Sequence, residues 1–213
     1  SELFDEKAAD RPVTFIETCL RHTKGEWAGK PFLLLPFQKN DIVRPLFGSK
    51  REDGLRQYRQ AFIALPRKNA KSTLTAALTL YMLFADGERG AEIYGAAADR
   101  EQARLVFDIC KSMVLNSPQL SKVAKVYKNA IEYPKLESVY KVISSDAHTK
   151  HGFNSHAIIF DELHAQPNRE LYDVLSTSTG SRQQPLMVML TTAGFGENTI
   201  CREQWRYGEA VLS

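Results

Sequence analysis

A chain of 213 residues with 43% hydrophobic residues can bury one substantial core, and a net charge of +3 with pI near 8.7 neither demands nor forbids a nucleic-acid partner. The acidic start Ser1–Glu6 does not read as a signal peptide, and no apolar run approaches the ~20 residues that span a bilayer. Cys19, Cys110 and Cys201 share no metal-ligand spacing, which argues against a zinc site and for packing roles in a reducing, intracellular setting.

In chain order, helical spacing of Val13, Phe15, Ile16, Cys19 and Leu20 predicts a helix over 12–22, and 36–47 predicts a second, short helix closed by Gly48. The polar run 48–54 reads as a surface connection. A strand over 60–65 then leads through a loop to a helix over 72–84, whose Leu74, Ala77, Leu78, Tyr81 and Met82 would pack on a sheet. A strand over 92–97 with a helix over 100–115 follows, then strands over 128–133 and 138–144 that suit a hairpin. An apolar strand over 157–160, a helix over 168–178, a fully apolar strand over 186–192 and a helix over 200–210 complete the series. Such alternation predicts an α/β fold, a mostly parallel central sheet flanked by helices, with ligands at the carboxyl ends of the strands. The absence of an initial methionine, and an end just past a helix-like segment, read as a piece of a longer chain.

Two motifs fall at such strand ends. Leu65-Pro66-Arg67-Lys68-Asn69-Ala70-Lys71-Ser72-Thr73 follows an apolar strand and opens an apolar helix, as a phosphate loop does, although Leu65 and Ala70 stand where G-x-x-x-x-G-K-[ST] has glycine. There Lys71 supplies a charge for the β- and γ-phosphates of ATP and Ser72 a hydroxyl for Mg2+, while helix-start N–H groups face the anion. Ala157 to Glu162 ends in adjacent carboxylates: Asp161 would hold the metal and Glu162 would polarise the attacking water. The competing readings are a basic surface turn and a solvated helix cap. Together the two motifs read as a nucleotide hydrolase with Lys71, Glu162 and Arg67 as catalytic groups, Arg67 neutralising γ-phosphate charge from within the loop.

Thr191, Thr192 and Gly194 end the strand expected beside the carboxylate strand, where hydroxyls can sense the γ-phosphate. Gln38, after Pro36-Phe37, has an amide suited to two hydrogen bonds with an adenine edge; a surface glutamine is the alternative. His148, His151, His156 and His164 lack a further ligand at metal spacing and read as solvated loop histidines. Lys122, Lys125 and Lys128 would form a basic stripe if helical, more simply a solvated face.

The set Pro36-Phe37-Gln38, Leu65 to Ser72, Gly152-Phe153-Asn154, Ile158 to Glu162 with His164, and Thr191 to Gly194 resembles, in order and spacing over nearly the whole chain, the ATPase domain of tailed-bacteriophage terminase large subunits. The resemblance implies a P-loop NTPase of the ASCE/RecA-like kind: a single ATPase domain over 1–213, with a helical lead-in and adenine motif over 1–58 and the P-loop core over 59–213. It makes Gln38 part of the adenine motif, residues 65–72 an arginine-bearing deviant Walker A, Asp161-Glu162 the Walker B pair, and Thr191-Thr192-Ala193-Gly194 the coupling motif. It further implies ATP and Mg2+, double-stranded DNA, a portal protein and a small terminase subunit as partners, and a ring, commonly of five, in the host cytoplasm at the portal vertex, with a monomer in isolation. Members also carry a C-terminal nuclease domain, whose acidic metal set is not found after Thr192. A ring needs a cation acting in trans; Lys150 and Arg104 are the first candidates, then Arg100 and Arg182. Two alternatives stay open: a DExH-type helicase or translocase, from Asp161-Glu162-Leu163-His164, and a catalytically weak nucleotide-dependent binding module, from Leu65 and Ala70.

Overall fold

A strand covered by helices on both faces must be apolar at successive positions, not alternate ones. Strand β8 (Ser155–Asp161) meets that demand, buried at all seven positions. The computed structural model of the chain describes residues 3–65, 68–97, 100–144, 152–161 and 170–192. In chain order these form β1 (Leu3–Phe4), α1 (Glu6–Cys19), a π-helical segment (Gln38–Val43), α2 (Arg44–Gly48), β2 (Ser49–Lys50), β3 (Gln60–Leu65), α3 (Lys68–Phe84), β4 (Glu92–Ala97) and α4 (Arg100–Asn116). After them come β5 (Lys125–Val126), β6 (Ala130–Tyr133), β7 (Ser138–Ser144), β8, α5 (Glu170–Thr177) and β9 (Leu186–Thr192).

The main sheet has the order β3-β9-β8-β4-β7-β6-β5. Strands β3, β9, β8, β4 and β7 run parallel, while β6 and β5 add antiparallel, so the expected hairpin is β6–β7. The pleat divides each strand between two cores. Ala61, Ile63 and Leu65 of β3, Ala157 and Ile159 of β8, and Leu186, Val188 and Leu190 of β9 face the cluster containing α1 to α4. Phe62, Ile158, Phe160, Met187 and Met189 face the other side, where Tyr172 and Leu175 of α5 cover them. The lead-in joins the first cluster directly, with Phe15 of α1 packed edge-on against Tyr81 of α3 at 5.9 Å.

The structure differs from the sequence expectations at identifiable places. Helix α1 starts at Glu6, not Pro12, because Asp5 caps it by accepting from the Lys7 and Ala8 amides at 3.0 and 3.1 Å. Pro12, which reads as a helix start, is buried inside the helix. Gly48 ends α2 but is needed for closeness, since a Cβ there would lie 2.7 Å from both the Ala9 Cβ and the Phe4 ring. The lysine stripe does not form: Lys122 lies in a 3-10 turn, Lys125 in β5 and Lys128 in the turn before β6. The helix expected over 200–210 lies outside the described residues.

Candidate nucleotide site

The sheet order sets the site. β9 lies between β3, which leads to Lys71, and β8, which ends in Asp161. Register brings the three ends level: Leu65 pairs with Thr192, Ala64 with Thr191, and Asp161 with Leu190. Lys71 projects from the first turns of α3, and its Nζ lies 2.8 Å from Asp161 Oδ1 with both side chains essentially buried, at 0% and 4% exposure. Two charges this far from water are tolerable only when paired. Ser72 and Thr191 are buried nearby in sequence and register.

Ala70, at a position where a glycine of positive φ is usual in such loops, lies within α3. Alanine is the best helix former, so this replacement carries no backbone cost. Lys68 and Asn69 share that helical backbone, while Pro66 and Arg67, together with Lys150, Glu162 and Gly194, lie outside the described residues. Thr192 is placed only as the last residue of β9.

A hard-oxygen donor set suits magnesium, and the Asp161 carboxylate with the Ser72 hydroxyl is such a set. Among the described residues no group of three or more His, Cys, Asp and Glu converges to hold a metal. Magnesium held by one or two protein oxygens, with phosphate oxygens and water completing its shell, needs no such cluster. The residues present therefore fit this ion.

Gln38 is not a surface residue. It opens the π-helical segment, is buried, and its Oε1 accepts from the Leu35 amide at 3.0 Å. An adenine edge would have to share that oxygen with the backbone bond. The preceding segment is tied to α1, since the Leu34 amide donates to Glu17 Oε2 at 3.0 Å and the Phe32 amide to Leu20 O at 3.0 Å. Phe37 remains partly exposed beside it.

The described trans candidates separate. Arg104 is half-exposed, lies over the Phe107 ring, and donates to Asn129 Oδ1 at 2.9 Å, just before β6. Arg182 is not available for a neighbour. It donates to Glu88 Oε1 at 3.2 Å, Gly90 O at 2.8 Å and Asn154 O at 3.0 Å, around the starts of β4 and β8, at the sheet edge opposite Lys71. Arg100 is placed only as the first residue of α4.

His156 corrects the reading of loop histidines. It lies in β8, fully buried, with Nε2 2.7 Å from Asp86 Oδ2. Asp86, just after α3, also accepts from Arg56 Nη1 and Nη2 at 2.9 and 3.2 Å. Arg56 in turn donates to Gln184 O before β9. Burial works against the Asp86 charge, but Arg56 and His156 outweigh it and hold the carboxyl below its ordinary range. No sequence signal marks these residues as partners. The other three histidines singled out lie outside the described residues.

Comparison with known proteins adds an independent line. The family model described as "Terminase large subunit, ATPase domain" matches residues 36–210. The terminase large subunit of Enterobacteria phage HK97 is 28% identical over 189 residues, covering 86% of this chain and 36% of that protein. That of Lactococcus phage p2 is 31% identical over 130 residues, covering 59% and 24%. The chain thus spans about a third or less of the length of these relatives. Among solved structures, the HK97 bacteriophage large terminase superposes with a TM-score of 0.80 at 25% identity, covering 96% of this chain and 41% of that one. The Thermus phage P74-26 large terminase ATPase domain, at TM-score 0.52, 15% identity and coverage of 74% and 70%, shares the fold. The fold is that of the P-loop ASCE NTPases, and with a strand order that puts β9 between the Lys71 loop and the Asp161 strand, and a family match over most of its length, the chain belongs to the terminase large subunit ATPase domain family.

Proposed function

We propose that this chain binds Mg-ATP at the carboxyl edge of its sheet and hydrolyses it to drive double-stranded DNA into a viral procapsid. The observation that carries the reading is the buried Lys71–Asp161 pair, 2.8 Å apart at the ends of the two strands that flank β9. Lys71 turns to the β- and γ-phosphates, Arg67 to Thr73 wrap them with N–H groups after the turn set by Pro66, and Gln38 meets the adenine. Asp161 and Ser72 hold magnesium, which when bound neutralises charge on the phosphate oxygens. Glu162 orients the water whose oxygen bonds to the γ-phosphorus as the bond to the β–γ bridging oxygen breaks. Arg67 steadies the charge that develops.

Thr191 and Thr192, next to both motifs at the end of β9, pass loss of the γ-phosphate onward, together with Gly194 further along the chain. The unit works as one ATPase domain, lead-in 1–58 and core 59–213, in a ring with Arg104 or Lys150 reaching a neighbour's site. Its partners are DNA, a portal protein and a small terminase subunit, in the host cytoplasm. Neither alternative has an observation of its own: the weak-module reading rested on Leu65 and Ala70, and Ala70 sits without strain in a helix. The test is equilibrium binding of Mg-ATP to the chain and to Lys71→Ala. Loss of binding in the variant supports the reading, and undiminished affinity removes the phosphate-loop assignment.

A further inference from the structure

Beside Asp161 a cavity of about 10 Å³ opens between α3, α4 and the sheet, lined by Thr75, Thr79, Gly95, Tyr140 and Ile159 among others. That is about the space one water needs. Tyr140 of β7 is fully buried, its ring stacked on Phe107 at 5.8 Å, and its hydroxyl has no nitrogen or oxygen partner among the described residues. The neighbouring Cys110 thiol directs its own hydrogen to Ala76 O at 3.8 Å, leaving the phenol only a weak sulfur acceptor. A buried hydroxyl with no better acceptor than a sulfur, facing a water-sized space, calls for an occupant.

Polar groups around the space suit a water. Thr75 and Thr79 donate their hydroxyl protons along α3, to Lys71 O at 2.6 Å and Thr75 O at 2.8 Å, so their oxygens present lone pairs. Burial, with Cys110 and then Asp161 nearby, pushes the phenol well above its ordinary range, so Tyr140 stays a donor. Gly95 keeps the space open, since a Cβ there would lie 3.3 Å from both Tyr140 Oη and Cε2.

We infer that this cavity holds one water through which the Tyr140 hydroxyl supports the Asp161 carboxylate, making Tyr140 a positioning residue for the divalent-cation ligand. The need arises when phosphate draws Lys71 away. A carboxylate buried beneath the nucleotide then keeps its orientation only through the donors that remain, and outer-shell donors of this kind set metal affinity. The inference rests on the proposed role of Asp161 in holding magnesium.

The experiment measures binding of a fluorescent ADP analogue to the full chain as Mg2+ is titrated, with thermal melting alongside. Tyr140→Phe keeps the ring stack and is expected to raise the Mg2+ midpoint ~10-fold with no loss of melting temperature. Gly95→Ala, which crowds the water, should shift the midpoint in the same direction, and the double variant should shift it no further. An unchanged midpoint in Tyr140→Phe, or additive shifts in the double variant, overturns the inference. A high-resolution crystal structure of the chain should show the water bonded to Tyr140 and Asp161; a dry cavity overturns it as well. Asp161→Asn separates the two proposals: if it too leaves the midpoint unchanged, the magnesium role of Asp161 fails first.

Discussion

Lys71 and Asp161 hold each other, Nζ to Oδ1 at 2.8 Å, with both side chains almost wholly buried. In the proposed site both must change partner together, the lysine to phosphate and the carboxylate to magnesium. Either exchange alone would leave a buried charge unpaired. Lys71→Ala is therefore expected to lose nucleotide binding and also about 3–5 kcal/mol of stability, because Asp161 stays buried without its cation. Lys71→Ala with Asp161→Asn should recover part of the stability and none of the binding. Denaturant melts and nucleotide titration of the three proteins check this.

Glu162→Gln should behave differently. The amide keeps the shape but cannot polarise water, so Mg-ATP binding is retained while turnover falls ~10²–10⁴-fold. Steady-state hydrolysis beside equilibrium binding reads the split, and wild-type turnover would remove Glu162 from the mechanism.

Ala70→Gly tests whether the missing glycine matters. Since Ala70 lies in α3, glycine there is expected to cost up to about 1 kcal/mol of helix stability and to leave hydrolysis intact. Melting and turnover measured together decide it; collapsed turnover would mean a loop geometry unlike a phosphate loop.

The two motifs were legible because each is local: an apolar strand followed at once by its polar residues. Lys71 and Asp161 could be placed at strand ends from pattern alone, and the parallel sheet followed from alternation. What stayed hidden depends on distance or on shared spacing. Arg56, Asp86 and His156 are brought together by β3, α3 and β8 from positions 30 and 70 residues apart, and nothing near any of them announces a partner. A π-helical turn over Gln38–Val43 shows the same short apolar spacing as an α-helix, so nothing in the pattern told that Gln38, read as an adenine amide with a surface glutamine as the alternative, is buried and bonded to the Leu35 amide. At α1, Pro12 mimicked a first helical residue while the true cap, Asp5, lay about two turns earlier.

The buried Asp86 network carries a pH signature. Its carboxyl is held below the ordinary value of 3.8, so the folded state binds that proton less readily than the unfolded chain does. The stability it contributes is full above that ordinary value and is lost as pH falls through the lower, folded-state value. Asp86→Asn should lower the melting temperature at neutral pH and flatten its acid dependence. Melting temperature followed from neutral into the acid range tests this, and parallel curves for the two proteins would contradict it.

The ring proposal predicts complementation. A Glu162→Gln protein has a dead site but intact donors, and Arg104→Ala or Lys150→Ala would have an intact site without its donor. Mixed under conditions where assembly is shown, they should hydrolyse ATP faster than the sum of the separate proteins, since a trans-acting cation contributes ~10³-fold or more in comparable reactions. Strict additivity for both would leave Arg67 acting within its own subunit.

The most direct test is a crystal structure of the chain with Mg-ADP and a γ-phosphate mimic. The account predicts nucleotide at the carboxyl ends of β3 and β8, with Lys71 Nζ moved from Asp161 onto phosphate oxygens and Asp161 turned to the magnesium. Nucleotide bound elsewhere, with Lys71 and Asp161 still 2.8 Å apart, would contradict it.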